Sequence, residues 1–161
     1  MDVRDEGLNK FLKLLDDLGL RERVDIILHS EVSGKRTEDA ATALGVSPEH
    51  VLKCLIFRGK EGDVAAIITG NRKVDVRKLE KVSGVKRLRL ARPDEVEELM
   101  GYKVGGVPPF VFKGMMRAFV DVEVMSREFV IGAAGTEYAG VKFDPKIFEE
   151  LGYEVADIAK R

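Results

Sequence analysis

Val51-Leu52-Lys53-Cys54-Leu55-Ile56-Phe57 is apolar at six of its seven positions, and the exception is a lysine. As a strand the segment is hydrophobic on both faces, which predicts a central strand covered on both sides. Alternation puts Lys53 on the face of Val51, Leu55 and Phe57. Lysine is rarely buried without a partner, so the side chain either snorkels out at the strand's end or points into a cavity that holds an anion. The residues alone leave both readings open.

The turn signal from Gly59 to Asp63 and the apolar run Val64 to Thr69 make this strand half of a hairpin. Upstream, Leu8, Phe11, Leu12, Leu15 and Leu18 fall at helical spacing and predict an amphipathic helix over about residues 3 to 18, ended near Gly19. Val24 to His29 reads as a strand. Thr37 caps a short helix through Ala43, closed by Gly45, and Ser47-Pro48 is a second helix-start signal that delivers the chain into Val51.

Downstream, Asp75 caps a helix to about Val82, with Gly84 beyond it. Lys86 to Leu90 alternates basic and apolar residues, which fits a half-exposed strand carrying Arg87 and Arg89 outward. Those arginines are either charge that protects an edge strand or a phosphate-contacting patch. Pro93-Asp94-Glu95 opens a helix through Met100 that Gly101 stops. Strands follow at Ala118 to Val122, Glu128 to Ile131, Val141 to Phe143 and Tyr153 to Val155, with a helix from Asp144-Pro145 to Leu151. This alternation predicts one α/β domain over residues 1–161, without linker or repeat.

The least scaffold-like stretch is Gly101-Tyr102-Lys103-Val104-Gly105-Gly106-Val107-Pro108-Pro109-Phe110. The prolines stiffen Val107 to Pro109 into an arm. Gly105 and Gly106, lacking Cβ, can take positive φ and bring backbone N–H groups close to a ligand. Such a loop suits a developing oxyanion; it also suits a tight turn after a helix.

A formal net charge of −1 argues against a protein that holds nucleic acid mainly by bulk electrostatics, and leaves room for a local basic patch. The single cysteine, Cys54, excludes an internal disulfide and a cysteine-based metal site. No signal-peptide core and no apolar run near ~20 residues is present, so a reduced, cytosolic protein without membrane attachment is expected. Gln is absent and Asn9 and Asn71 are the only asparagines, a depletion that suggests a heat-adapted, thermophilic source.

His29 and His50 are the only histidines and are not at helical ligand spacing, so no metal and no cofactor are expected. No serine lies in a G-x-S-x-G turn, Gly34-Lys35-Arg36-Thr37 lacks the spacing of a P-loop, and Gly132-Ala133-Ala134-Gly135 is not a dinucleotide fingerprint. What remains is a lysine, glycine N–H donors and no evident protein nucleophile. That set can hold charge and position a substrate, leaving the attack to water or to the substrate.

Taken together, Thr37 to Ala43, the lysine inside Val51 to Phe57, and Gly101-Tyr102 leading into the G-x-x-x-P stretch Gly105 to Pro109 resemble the YbaK-type aminoacyl-tRNA deacylases. The same fold serves as the editing domain of bacterial prolyl-tRNA synthetases. The resemblance covers nearly the whole chain and implies a mixed, strongly curved β-sheet wrapped by helices. It also implies hydrolysis of the ester joining a wrong, small amino acid to tRNA, of the tRNA-Pro type. By this resemblance Lys53, Gly105 and Gly106 are catalytic, with the lysine on the substrate's terminal phosphate or carbonyl. Gly101, Tyr102, Val107, Pro108, Pro109, Thr37 and Gly132 bind substrate, and Arg87 and Arg89 are candidate tRNA contacts. One departure is visible: Gly132 stands where several members carry a serine, which bears on amino-acid specificity.

The partners so implied are a mischarged aminoacyl-tRNA and an aminoacyl-tRNA synthetase, with no DNA and no membrane. Two other classes fit the same residues: a module that binds aminoacyl-tRNA or an acyl-nucleotide without turnover, and a synthetase-associated interaction domain.

Overall fold

The computed structural model describes residues 5–28, 41 and 44–161. Thr37, His29 and most of the helix expected from Thr37 to Ala43 lie outside the described residues.

Helix α1 spans Glu6–Leu18; the Asp5 side chain accepts from Leu8 N–H at its start, and Gly19 closes it at φ 70°. Its buried stripe of Leu8, Phe11, Leu12 and Leu15 faces the larger of two main cores. Strand β1 is Asp25–Leu28. A 3-10 turn over Pro48–His50 leads into β2, Leu52–Gly59, which pairs in antiparallel register with β3, Gly62–Thr69. Helix α2, Val76–Ser83, is capped by Asp75 and ends at Gly84.

Strand β4 is shorter than the alternation predicts, covering only Arg89–Leu90. Arg87 sits at φ 56°, a left-handed conformation that breaks the extended run, so Leu88 turns into the core while Leu90 is exposed. Helix α3 spans Pro93–Met100, its start closed by Glu95 reaching back to the Arg92 N–H at 2.9 Å. Strand β5, Arg117–Asp121, runs straight into a short helix α4, Val122–Met125, that sequence periodicity did not indicate. Strands β6, Val130–Ala133, and β7, Ala139–Phe143, precede α5, Ile147–Glu150, and β8, Glu154–Ala156.

The architecture is α/β with mixed pairing, as expected. Among the described residues the strands form a sheet ordered β1-β7-β6 and another ordered β4-β2-β3-β5-β8. An isolated parallel bridge, Val51 to Ile131, joins them where β2 begins. In the second sheet β2 is internal, as its apolar faces require. Leu52 and Ile56 enter the larger core with α1 and the Gly101–Phe110 segment, whereas Phe57 enters a smaller core with Leu79, Leu88, Phe119 and Ile158. No helix of the described residues is long and apolar enough to cross a membrane.

Candidate active site

Lys53 occupies the face of β2 that carries Leu55 and Phe57 toward the smaller core, and it is only partly buried. Its Nζ donates to the Arg72 carbonyl at 3.0 Å. Arg72 follows the β3 end in a turn closed by its own N–H on Thr69 O at 3.0 Å. Its guanidinium grips Glu123 with two bonds, Nε to Oε2 at 3.1 Å and Nη2 to Oε1 at 2.8 Å. Arg161 also reaches Glu123, at 2.8 Å. This surrounding charge, the Arg72 hydrogen bond foremost, holds the Glu123 carboxyl below the ordinary carboxylate range.

The glycine-proline loop is fixed at several points. Gly101 takes φ 73° and donates its N–H to Glu97 O at 2.9 Å, ending α3. Tyr102 is buried, with Lys10 Nζ 4.4 Å from its ring centroid and 3.4 Å from Gly101 O. Gly105 adopts φ 89°, whereas Gly106 is not in the left-handed region; its N–H closes a turn on Lys103 O at 2.9 Å. Gly106 is needed for close approach instead: a Cβ there would lie 3.1 Å from Gly135 O. Val107, Pro108, Pro109 and Phe110 are all buried, and Phe110 anchors the arm by packing 4.7 Å from Phe143, ring to ring.

Gly132 joins this loop to β6. A Cβ on Gly132 would meet the Pro109 ring at 2.8 Å, so the absence of a side chain is what lets Pro109 sit there. Ile131, one residue earlier, is the bridge partner of Val51, which places the start of β2 beside the strand that contacts the loop. The structure thus brings Gly132 together with Pro109, and Gly106 together with Gly135 and Thr136. A groove of about 680 Å³ opens beside the loop, with Lys10, Gly101, Tyr102, Gly106, Thr136 and Tyr138 on its walls.

Arg87 and Arg89 do not line this region. Arg89 is beside Arg58 at the hairpin end of β2, and Arg58 lies five residue steps along the strand from Lys53, roughly 17 Å. Arg87 is exposed, while Arg89 is bound to Glu95 by two contacts at 2.7 and 2.8 Å that Arg58 supplements at 3.1 Å.

The remaining candidate nucleophiles and bases have structural settings. His50 stacks on Phe129 at 4.3 Å, and its Nδ1 lies 3.1 Å from Phe129 O. Burial pushes the Cys54 thiol up to about 12, which keeps it protonated at neutral pH. Among the described residues no group of three or more His, Cys, Asp or Glu is arranged to hold a metal ion.

Tyr153 escaped the sequence reading. Its hydroxyl donates to Pro109 O at 2.9 Å and accepts from the Phe112 N–H at 3.2 Å, tying the C-terminal end of the arm and the turn beyond it to the segment before β8. Burial raises the phenol's pKa, so it stays a donor. A buried tyrosine signals that its O–H finds a partner; nothing in the sequence says which.

The fold is shared with editing-type hydrolases, a class whose members remove amino acids from tRNA. The profile of the aminoacyl-tRNA editing domain matches residues 31–151, and the chain belongs to that family. It is similar to a candidate Cys-tRNA(Pro)/Cys-tRNA(Cys) deacylase of Enterococcus faecalis, 30% identical over 71% of this chain and 70% of that protein. It is 36% identical to a proline–tRNA ligase of Thermoanaerobacter sp. strain X514 over 63% of this chain, which spans only 18% of the ligase. Among solved structures it resembles a candidate trans-editing enzyme for prolyl tRNA synthetase, with a TM-score of 0.86 and 28% identity over 97% of this chain and 98% of that one.

Proposed function

We propose that residues 1–161 act as one trans-editing domain that hydrolyses the ester of a small amino acid mischarged onto tRNA of the proline type. The observation that carries this reading is a lysine in an otherwise apolar strand, its ammonium fixed on a backbone carbonyl, two residues from the Val51–Ile131 bridge that joins this strand to the one seated against the clamped glycine-proline loop. The similarity to a candidate Cys-tRNA(Pro) deacylase and to a proline–tRNA ligase supports the tRNA-Pro assignment.

In this reading Lys53 holds the terminal phosphate or the carbonyl of the substrate. Water attacks the ester carbon and the carbonyl oxygen becomes an oxyanion. Because the Gly106 N–H is committed to Lys103 O, the N–H of Gly105 takes the oxyanion and Gly106 sets the loop's seat on Gly135. The carbon–oxygen bond to the ribose then breaks, the ribose oxygen is protonated, and the amino acid leaves as its carboxylate. The neighbouring ribose hydroxyl, within reach of the carbonyl, relays the proton. That role suits a site where His50 is stacked on Phe129 and Cys54 is protonated. No metal enters the scheme, consistent with the ligand-poor sequence.

Tyr102, Val107, Pro108, Pro109 and Gly132 form the wall that limits the amino acid's size, with Gly101 setting the loop's start and Thr37 contributing from outside the described residues. Arg87 and, less strongly because Glu95 neutralises it, Arg89 contact the tRNA backbone away from the ester. A synthetase is a second partner.

The test is a deacylation screen of the purified chain against a panel of mischarged tRNAs. Release of a small amino acid from tRNA-Pro supports the proposal. Retention without turnover favours a binding module, and activity only with a synthetase present favours an accessory domain.

A further inference from the structure

We propose that Arg72 and Glu123 are positioning residues that aim the Lys53 ammonium. The inference rests on the reading of Lys53 as the substrate-holding group and adds how that group is held.

A lysine ends in a compact charge on a flexible four-carbon stem, and placing it for one reaction requires an external fixed point. One such point here is the Arg72 carbonyl, 3.0 Å from Nζ. The carbonyl is itself held from several sides. Arg72 N–H bonds to Thr69 O at 3.0 Å, the next residue's carbonyl accepts from Lys160 N–H at 2.8 Å, and Val74 bridges to Ala159. The side chain supplies the remaining constraint, since the planar guanidinium meets Glu123 as a two-bond fork. A fork of that kind fixes orientation as well as distance, and so fixes the turn that presents the carbonyl.

Glu123 is placed just as firmly. It lies in the first turn of α4, where its N–H is capped by Asp121 Oδ2 at 3.2 Å. Asp121 is fully buried and also accepts from Ile158 N–H at 3.0 Å and from Arg161 at 3.0 Å. Arg161 Nη1 reaches Glu123 as well, at 2.8 Å. The series Asp121, Glu123, Arg72 carbonyl, Lys53 therefore links the buried end of β5 to the ammonium. Both fork partners are partly shielded, with side-chain exposures of 33% and 22%. They are not the fully solvated kind of pair that contributes little.

The experiment compares wild type, Glu123→Gln, Lys53→Ala and the double variant, with Arg72→Lys as an independent second lesion that keeps the carbonyl and loses the fork. Two quantities are read: kcat/KM for deacylation, and the side-chain NMR signals of Lys53 in protein carrying 13C-lysine. A held ammonium makes the two protons on Cε inequivalent, and release makes them merge. The expected result is merging in Glu123→Gln and in Arg72→Lys, a loss of about tenfold in kcat/KM, and no further loss when Glu123→Gln is added to Lys53→Ala. Unchanged Lys53 signals in folded variants, or losses that simply multiply in the double variant, would overturn the inference. Full activity in Lys53→Ala would instead remove the functional reading of Lys53 while the NMR result still reports whether the lysine is held.

Discussion

The Tyr153 hydroxyl bridges Pro109 and Phe112, donating to the carbonyl of the first at 2.9 Å and accepting from the N–H of the second at 3.2 Å. Forty-four residues separate Tyr153 from Pro109, so one phenol holds the loop to a distant part of the chain. In Tyr153→Phe the ring packing survives while a buried carbonyl and a buried N–H lose their partner. We expect a destabilisation of about 1–3 kcal/mol, read as a shift in the urea midpoint. We also expect lower deacylation per folded molecule, because the loop gains freedom. Unchanged stability and activity would show that the clamp is incidental.

Gly132→Ala adds a methyl where the Pro109 ring already lies 2.8 Å from the ideal Cβ position. Either the loop or β6 must move. The expected outcome is a changed preference among mischarged tRNAs, with kcat/KM on the best substrate reduced by about tenfold and the fold retained. Gly132→Ser, which adds a larger group at the same place, should shift the preference in the same sense. Identical substrate profiles in all three proteins would remove Gly132 from the pocket wall.

Much of this arrangement was legible in the chain itself. Gly19 marks the end of α1, Asp75 and Gly84 both ends of α2, and Gly101 the end of α3, because caps are local chemistry, whereas the start of α1 at Glu6 lies about three residues beyond the expected one. Lys53 was conspicuous because one charge interrupts an apolar strand. The rest depends on contacts between residues far apart. Arg87 was read as strand because alternation cannot reveal a left-handed φ. Helix α4 is a single turn set by the Asp121 cap, too short for periodicity to show. The Tyr153 clamp and the Arg72 carbonyl leave no mark in sequence, since a backbone acceptor is available at every residue.

The pH dependence of stability should have an acid limb set partly by Glu95. The Arg89 guanidinium, and after it the Arg92 N–H, holds the Glu95 carboxyl well below the usual range. A depressed native pKa means that the unfolded chain takes up the proton first. The contribution is therefore complete above the unfolded value of roughly 4.3 and is lost as pH falls below it toward the native value. Melting temperatures measured between about pH 6 and pH 2 should fall less steeply in Glu95→Gln than in wild type. Parallel curves would show that Glu95 does not titrate differently in the two states.

If the substrate's own hydroxyl relays the proton, the histidines are dispensable. His50→Ala and His29→Ala should each keep deacylation within about tenfold, a change of roughly 1.4 kcal/mol in transition-state stabilisation, whereas a lost general base typically costs ~10²–10⁴-fold. A tRNA whose free terminal-ribose hydroxyl is replaced by hydrogen should be hydrolysed far more slowly. Full activity on that deoxy substrate, with collapse in either histidine variant, would assign the proton to a protein base.

The central claim is that Lys53 serves the substrate and not the fold, and deacylation by Lys53→Ala measured beside its thermal melt tests it most directly. Lys53 is only partly buried and donates to the Arg72 carbonyl, so its loss costs the fold about one hydrogen bond, ~1 kcal/mol, while the substrate loses the charge that holds it. The account predicts that Lys53→Ala hydrolyses mischarged tRNA about 10²–10³-fold more slowly than wild type, still above the uncatalysed rate, and melts within about 4 °C of it. Wild-type hydrolysis by the folded variant, or early unfolding that accounts for the loss, would contradict it.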